Sequence, residues 1–342
     1  MGMDLGAPYL KKIVFIIFLL NIFLIPGNAK KITVFERNYR APELYVEDDY
    51  IYVYDRASQT IDIYSGRDYK YLTTFGRMGE GPGEFKFIKV FKIYPDFIYI
   101  FALDKIAYFS KKGVLWKEQR VLPNSGAYIP IKDNFVYQKI FEDKEENIDY
   151  ILADSNFKTI KHIYSTHFPL LTGGNRTKRS RMLVMPLVQQ TVYKNKIYIA
   201  DTTRGFFFTV FDASGNKLHD INIPYKKIPI KSEEKQKYID RWVGWYGKKR
   251  LNRIDFTFPD YFPAFNDFKI ADDKIYAFTY VMNPVSAKIQ DLYILSLDGK
   301  LLKKATIPYS IAQSYDIHKN KYYYIMDNED TENWELHMEE IK

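Results

Sequence analysis

The sequence contains no cysteine. Disulfides, thiolate-bound zinc, iron–sulfur clusters, cysteine nucleophiles and a lipid-modified cysteine are all excluded. Tryptophan and histidine are sparse, at 4 and 5 of 342 residues. Beyond residue 25 no apolar run is long enough to span a bilayer. No Gly-x-Ser-x-Gly elbow is present. Aromatic residues, by contrast, are plentiful, with 30 Tyr and 25 Phe. Such rings favour strands, where they pack on a pleated surface. The apolar fraction of 46% supports a large core, and 27% charged residues argues against wholesale disorder. A net charge of +8 permits an acidic partner without demanding one.

The N-terminus has the layout of an export signal. Lys11 and Lys12 precede an apolar run from Ile13 to Ile25, which Pro26 and Gly27 break. The run is too short to span a bilayer comfortably and suits a signal h-region. Gly27, Asn28 and Ala29 supply small residues for cleavage after Ala29. The expected domains are a signal peptide at 1–29 and a periplasmic or secreted domain at 30–342, with no transmembrane span after cleavage. Export and moderate charge make nucleic acid an unsuitable partner.

A degenerate repeat organises the remainder. An Ile/Val/Tyr run follows a polar turn six times, beginning at Asp49, Asp96, Asn134, Lys196, Lys274 and Lys321. Most copies lead to a second run and a turn rich in Asp, Gly or Asn, as at Ser65-Gly66 and Asp298-Gly299. Such turns read as hairpins. Six units of roughly 50 residues each match four-stranded propeller blades. The leading run of each unit is apolar at successive positions, which requires burial on both faces and reads as an inner strand. Residues Lys31–Phe35 are expected to add a strand to the last unit beside Trp334–Ile341, closing the ring.

Two insertions interrupt the spacing, at about Thr166–Gln190 and Tyr225–Asn266. In the second, Ser232 is placed to cap a helix, with Glu233 and Glu234 in its first turn. Tyr238, Ile239, Trp242, Val243 and Tyr246 fall on one face, and Gly247 ends the helix. The expected fold is all-β, a six-bladed β-propeller with a short helical insertion between blades four and five.

Phe75-Gly76-Arg77-Met78-Gly79-Glu80-Gly81-Pro82-Gly83-Glu84-Phe85 resembles the blade-closing signature of exported bacterial six-bladed β-propellers related to NHL repeats. In that family a Phe-Gly step runs into a Gly-Pro-Gly-Glu-Phe turn. The likeness covers Val46–Phe87 closely and Ile197–Leu218 more loosely. It implies a six-bladed fold and export, and it carries no catalytic residue. Gly76, Gly79, Gly81, Pro82 and Gly83 are read as a structural loop permitting a tight blade-to-blade crossing. A phosphate loop is excluded there, because the chain continues into a strand and offers no helix N-terminus.

No metal or cofactor motif emerges. His162, His167, His219, His318 and His337 lack zinc spacing and fall in different predicted blades. The acidic run from Asp327 to Glu332 lacks the EF-hand pattern and reads as a hairpin turn. The candidate ligand-binding residues lie in the two insertions, which blade geometry should bring together on one rim. They are Arg176, Lys178, Arg179 and Arg181 in the first insertion. In the second they are Trp242, Trp245, Tyr246, Lys249 and Arg250. Cations beside exposed rings suit carboxylates, sugars or acidic protein surfaces. The reading is a ligand- or protein-binding scaffold of the bacterial envelope, with an unknown protein, peptide or acidic glycan as partner. The alternative is a lyase or hydrolase with an axial metal or charged site.

Overall fold

A computed structural model describes residues 29–121, 126–140, 147–167, 179–247, 251, 254–280, 289–308, 314–328 and 330–341. Residues 1–28 of the expected signal peptide lie outside the described residues.

The first strand, β1 (Lys30–Val34), is followed by blade one, β2 (Pro42–Val46), β3 (Tyr50–Asp55), β4 (Thr60–Ser65) and β5 (Tyr71–Phe75). Blade two comprises β6 (Ile88–Ile93), β7 (Ile98–Ala102), β8 (Lys105–Phe109) and β9 (Leu115–Arg120). Blade three comprises β10 (Tyr128–Ile131), β11 (Asn134–Ile140), β12 (Asn147–Ala153) and β13 (Thr159–His167). After β14 (Arg179–Met182) comes blade four, with β15 (Val188–Tyr193), β16 (Lys196–Asp201), β17 (Phe206–Phe211) and β18 (Lys217–Ile223). The helix α1 (Ser232–Tyr246) and β19 (Ile254–Thr257) follow. Blade five is β20 (Asp267–Ala271), β21 (Lys274–Phe278), β22 (Ile289–Ser296) and β23 (Leu301–Pro308). Blade six is β24 (Tyr315–His318), β25 (Lys321–Asn328) and β26 (Asn333–Glu340), completed by β1.

Each of these six sheets has four antiparallel strands. Each neighbouring pair of blades shares one apolar core, and the set closes on itself. Side chains alternate across a strand, so a strand between two blades feeds two cores. On β7, Ile98 and Ile100 pack toward blade one, whereas Tyr99 and Phe101 pack toward blade three. Ile197 and Ile199 of β16 face blade three, and Tyr198 and Ala200 face blade five. The last of the six cores joins Ile325 and Leu336 of blade six to Leu44 and Val53 of blade one.

Strand position corrects one expectation. The six apolar runs are β3, β7, β11, β16, β21 and β25, the second strand of each blade rather than its inner edge. The innermost strands are β2, β6, β10, β15, β20 and β24, which line a central cavity. They are short and, apart from β10 (Tyr-Ile-Pro-Ile), carry interspersed polar residues, so they give no comparable sequence signal.

The ring is fastened where the chain enters it. Lys30 of β1 pairs with Met338, and Val34 pairs with Glu335. The link from β1 to β2 is anchored on Asp62, which is 1% exposed. Its Oδ1 accepts from Arg37 at 2.7 Å and its Oδ2 from the Tyr39 hydroxyl at 2.9 Å. Thr74 also donates to Asp62. Trp334 Nε1 donates to the Tyr39 carbonyl at 2.9 Å, tying the same link to β26.

The glycine-rich loop makes the crossing from β5 to β6. Glu84 organises it, accepting from the Gly81 amide at 2.9 Å and from Arg77 Nε at 2.6 Å. These bonds, led by that from the Gly81 amide, hold its carboxyl below the usual range. A Cβ on Gly79 would collide with the Glu84 carboxylate. Gly83 has a φ of 69° and donates to Glu118 at 3.0 Å. Phe85 closes the loop, fully buried between the first two blades.

Candidate functional site

Two regions are candidates for function, a platform built from the two insertions and the axial cavity. The platform grows from the insertions. Arg179–Met182 pairs in parallel with Ile254–Thr257, so β14 and β19 form a two-stranded sheet from segments distant in sequence. A satellite core lies beneath, formed by Val184, Ile230, Tyr238 and Phe262. Tyr238 thereby fixes α1, while the next turns of the helix reach outward. Trp242 and Tyr246 stack at 4.9 Å between ring centroids, with an interplanar angle of 23°. The Arg181 guanidinium lies 4.1 Å from the Trp242 ring centroid. An arginine held flat on a ring keeps its N–H donors directed outward at the edges, available to a carboxylate. Tyr246 is 46% exposed.

The structure therefore brings Arg181, Trp242 and Tyr246 together. Arg179 lies on β14 and Trp245 in α1, and only the backbone of these two is described. Arg176, Lys178, Lys249 and Arg250 lie outside the described residues. The helix start differs by one residue from expectation. Ser232 is the first helical residue, and Lys231 occupies the cap position without a side-chain bond. Glu233 and Glu234 in the first turn still complement the helix dipole. Gly247 closes the helix at φ 75°, its amide bonded to the Val243 carbonyl.

The axial cavity has a volume of about 1220 Å³ and is lined by the innermost strand of every blade. Its mouth is formed by the hairpins that leave those strands. In blades four, five and six the turn residues Lys194-Asn195, Asp272-Asp273 and Lys319-Asn320 all have positive φ. That is the primed-turn geometry matching strand twist. Charges join the hairpins from blade to blade. Lys194 bonds Asp273 at 2.5 Å, and Asp272 accepts from the Asn320 amide at 2.7 Å. Asp48 accepts from Lys319 at 2.5 Å and contacts His318 at 2.6 Å. These two contacts, Lys319 first, lower the Asp48 carboxyl pKa. Glu47 pairs with Lys111 of the next blade.

Deeper in the cavity, acidic groups are matched locally. Tyr45 donates to Glu43 at 2.9 Å, and Lys269 bonds Asp316 at 2.6 Å. Asp267 receives the Tyr315 hydroxyl, and burial still raises its carboxyl pKa. Lys92 of β6 differs. Its ammonium donates to Thr191 Oγ1 at 2.7 Å, reaching from blade two to blade four. Burial lowers its pKa to about 8. Sequence reading missed this residue, because one lysine in a short strand has no distinguishing pattern.

The five histidines fall in three blades rather than in five different ones, His162 and His167 sharing blade three and His318 and His337 blade six. His162 stands 3.8 Å from Asp149 in blade three, and His337 contacts Glu335 at 2.9 Å in blade six. His167 and His219 lie on β13 and β18. Among the described residues, no group of three or more His, Asp or Glu side chains could hold a metal ion. Nor is any helix there long and apolar enough to cross a membrane.

Comparison with known proteins bears on the fold. A family model described as a 6-bladed beta-propeller matches residues 41–204, from blade one into the first half of blade four. No protein of curated function matches the sequence. The structure of a Bacteroides fragilis protein described as exported aligns over 92% of this chain and 94% of its own, with TM-score 0.56 and 11% identity. A luciferin-regenerating enzyme aligns over 91% of this chain and 94% of its own, with TM-score 0.45 and 12% identity. BamB from Moraxella catarrhalis aligns over 87% and 84%, with TM-score 0.33 and 8% identity. Scores as low as the last two support no conclusion about this chain. The family match, the Bacteroides likeness and the closed set of interblade cores agree that the chain is a six-bladed β-propeller.

Proposed function

We propose that the chain is an exported binding module of the bacterial envelope, released by cleavage after Ala29. Its ligand surface is the platform of Arg181, Trp242 and Tyr246, built from the two insertions that flank blade four. The observation that carries this reading is the pairing of β14 with β19, which seats Arg181 over Trp242. Outward guanidinium edges suit carboxylates, and stacked rings suit sugar faces or apolar side chains. The partner class is accordingly a protein, peptide or acidic glycan. Support for export comes from the leader pattern and from a fold shared with a Bacteroides protein described as exported. The relation to NHL-type propellers rests on the glycine loop, whose Glu84-centred bonding explains why its residue types occur together.

The test is retention on immobilised polygalacturonate and on immobilised envelope protein extract. Arg181→Ser combined with Tyr246→Ala should weaken retention on one of these without altering the circular dichroism spectrum. A second variant, with Arg176, Arg179, Lys249 and Arg250 changed to Ser, should weaken it further. Unchanged retention in both variants would remove the platform as the ligand surface. Cell fractionation with N-terminal sequencing tests export, and a mature chain beginning at Lys30 is expected.

A further inference from the structure

We propose that the axial cavity is a second ligand site, independent of the platform, which binds a small organic carboxylate at Lys92. Four observations lead there. The first is reach. Lys92 starts on blade two yet contacts Thr191 on blade four, so its side chain crosses the cavity and places the ammonium near the ring axis. The second is the absence of a matching charge. Its ammonium bonds the Thr191 hydroxyl, and no described carboxylate forms an ion pair with it. Lys92 is partly buried, and an ammonium that has lost part of its hydration without gaining a counter-ion favours its neutral form or an anion beside it.

The third is that the other charged groups deep in the cavity have partners of their own. Glu43 takes the Tyr45 hydroxyl and pairs with Arg56 at 3.3 Å. Lys269 is satisfied by Asp316, and Asp267 by the Tyr315 hydroxyl. His318 at the mouth is bound to Asp48. Lys92 is thus a cavity lysine near the axis with a hydroxyl rather than an acid beside it, while Asp267 across the cavity keeps its carboxylate and Lys89 of the same strand also lines the wall. The fourth is space. A cavity of about 1220 Å³ exceeds the volume of a small carboxylic acid many times over. Val90 and Ile93, partly buried on its wall, supply apolar contact for the body of such a molecule. The Thr191 hydroxyl can donate to the second carboxylate oxygen once Lys92 turns to the first.

The experiment is isothermal titration of the purified protein with acetate, hexanoate and benzoate, and with benzamide as the uncharged control. Saturable binding of at least one carboxylate at millimolar concentration is expected, with none for benzamide. At pH 9, titration in two buffers of different ionisation heat should show proton uptake on binding. At pH 6, where Lys92 already holds its proton, uptake should vanish. Burial raises the Tyr45 pKa still further from this range. Lys92→Met should weaken binding at least tenfold and Thr191→Val several-fold. Should Lys92→Met fail to fold, the proton uptake of the unaltered protein and retention of binding in Lys92→Arg decide the matter. Lack of saturable binding by all three acids overturns the proposal. So does equal binding of benzamide, or full affinity in a folded Lys92→Met protein.

Discussion

In blades two, four, five and six, the second strand and the innermost strand are hydrogen-bonded neighbours with contrasting burial, whereas in blade three the innermost β10 is itself buried throughout. On β7 all five residues are buried, and on β16 five of six. On β20 only Phe268 is buried, and on β24 only Ile317. The second strand is flanked by blades on both faces and by strands on both edges, so every position tends to be apolar. The innermost strand has an open edge facing the cavity, where lysines, acids and hydroxyls are tolerated. Architecture is therefore written in one strand and chemistry in the one beside it.

Exchanging substitutions between the two kinds of strand tests this contrast. The largest effect is expected from Phe101→Ala on β7, a fully buried side chain in the core between blades two and three. Truncating such a ring costs about 3–5 kcal/mol, to be read from urea unfolding. On the innermost β15, Thr191→Val should change stability by less than about 1 kcal/mol. Comparable losses at the two positions would erase the distinction.

Lys92→Met should do the opposite of a core substitution and stabilise the protein, because the lysine is held below its ordinary pKa. Below pH 8 both folded and unfolded chains carry the proton, and the cost of burying the charge is present in full. Between about pH 8 and 10.5 the folded protein releases the proton first, and the original chain regains stability. The gain from Lys92→Met should therefore be at most about 3 kcal/mol at neutral pH and fade across that window. Unfolding curves at pH 7 and pH 10 measure it, and a pH-independent difference would contradict the burial of the ammonium.

A smaller loss, about 2 kcal/mol, is expected for Asp62→Ala, which leaves Tyr39 and Arg37 without their shared acceptor. Arg37 is partly exposed, so solvent offsets some of the lost ion pair. Protease cleavage between β1 and β2 should accelerate in this variant, since the link is anchored there. The smallest change is expected for Arg181→Ser on the platform, under about 1 kcal/mol. Its readout is a shift in tryptophan emission as the cation leaves the Trp242 face. An unaltered spectrum would argue that the stack does not persist in solution.

Legibility in the sequence followed the same division. The six second strands stand out because burial on both faces forces continuous Ile/Val/Tyr runs, and their number gives the blade count. The closing strand β1 was readable from its apolar character beside the polar residues of its link. The innermost strands escaped notice because the cavity relaxes the demand for apolar side chains. Blade three was faint for another reason, since its outer strand β13 is largely exposed and reads as Thr-Ile-Lys-His. The insertions were visible as breaks in spacing, and Gly247 marked the helix end. Their pairing was not visible, because β14 is Arg-Ser-Arg-Met and β19 is Ile-Asp-Phe-Thr, four residues each without strand periodicity. Lys92 could not be singled out from the other lysines. What sets it apart is a contact with a residue 99 positions later, which only the closed ring brings near.

The seating of β1 on the periphery of blade six has a consequence for how the molecule could be moored. A segment joined ahead of Lys30 departs from the outer circumference, as far from the axis as a blade extends. A tether, fusion partner or surface linkage attached at that point would leave the central opening unobstructed. The same attachment would load the seam between the first and last blades, so a pulling force applied there should unzip the ring at its closure before any other blade is disturbed.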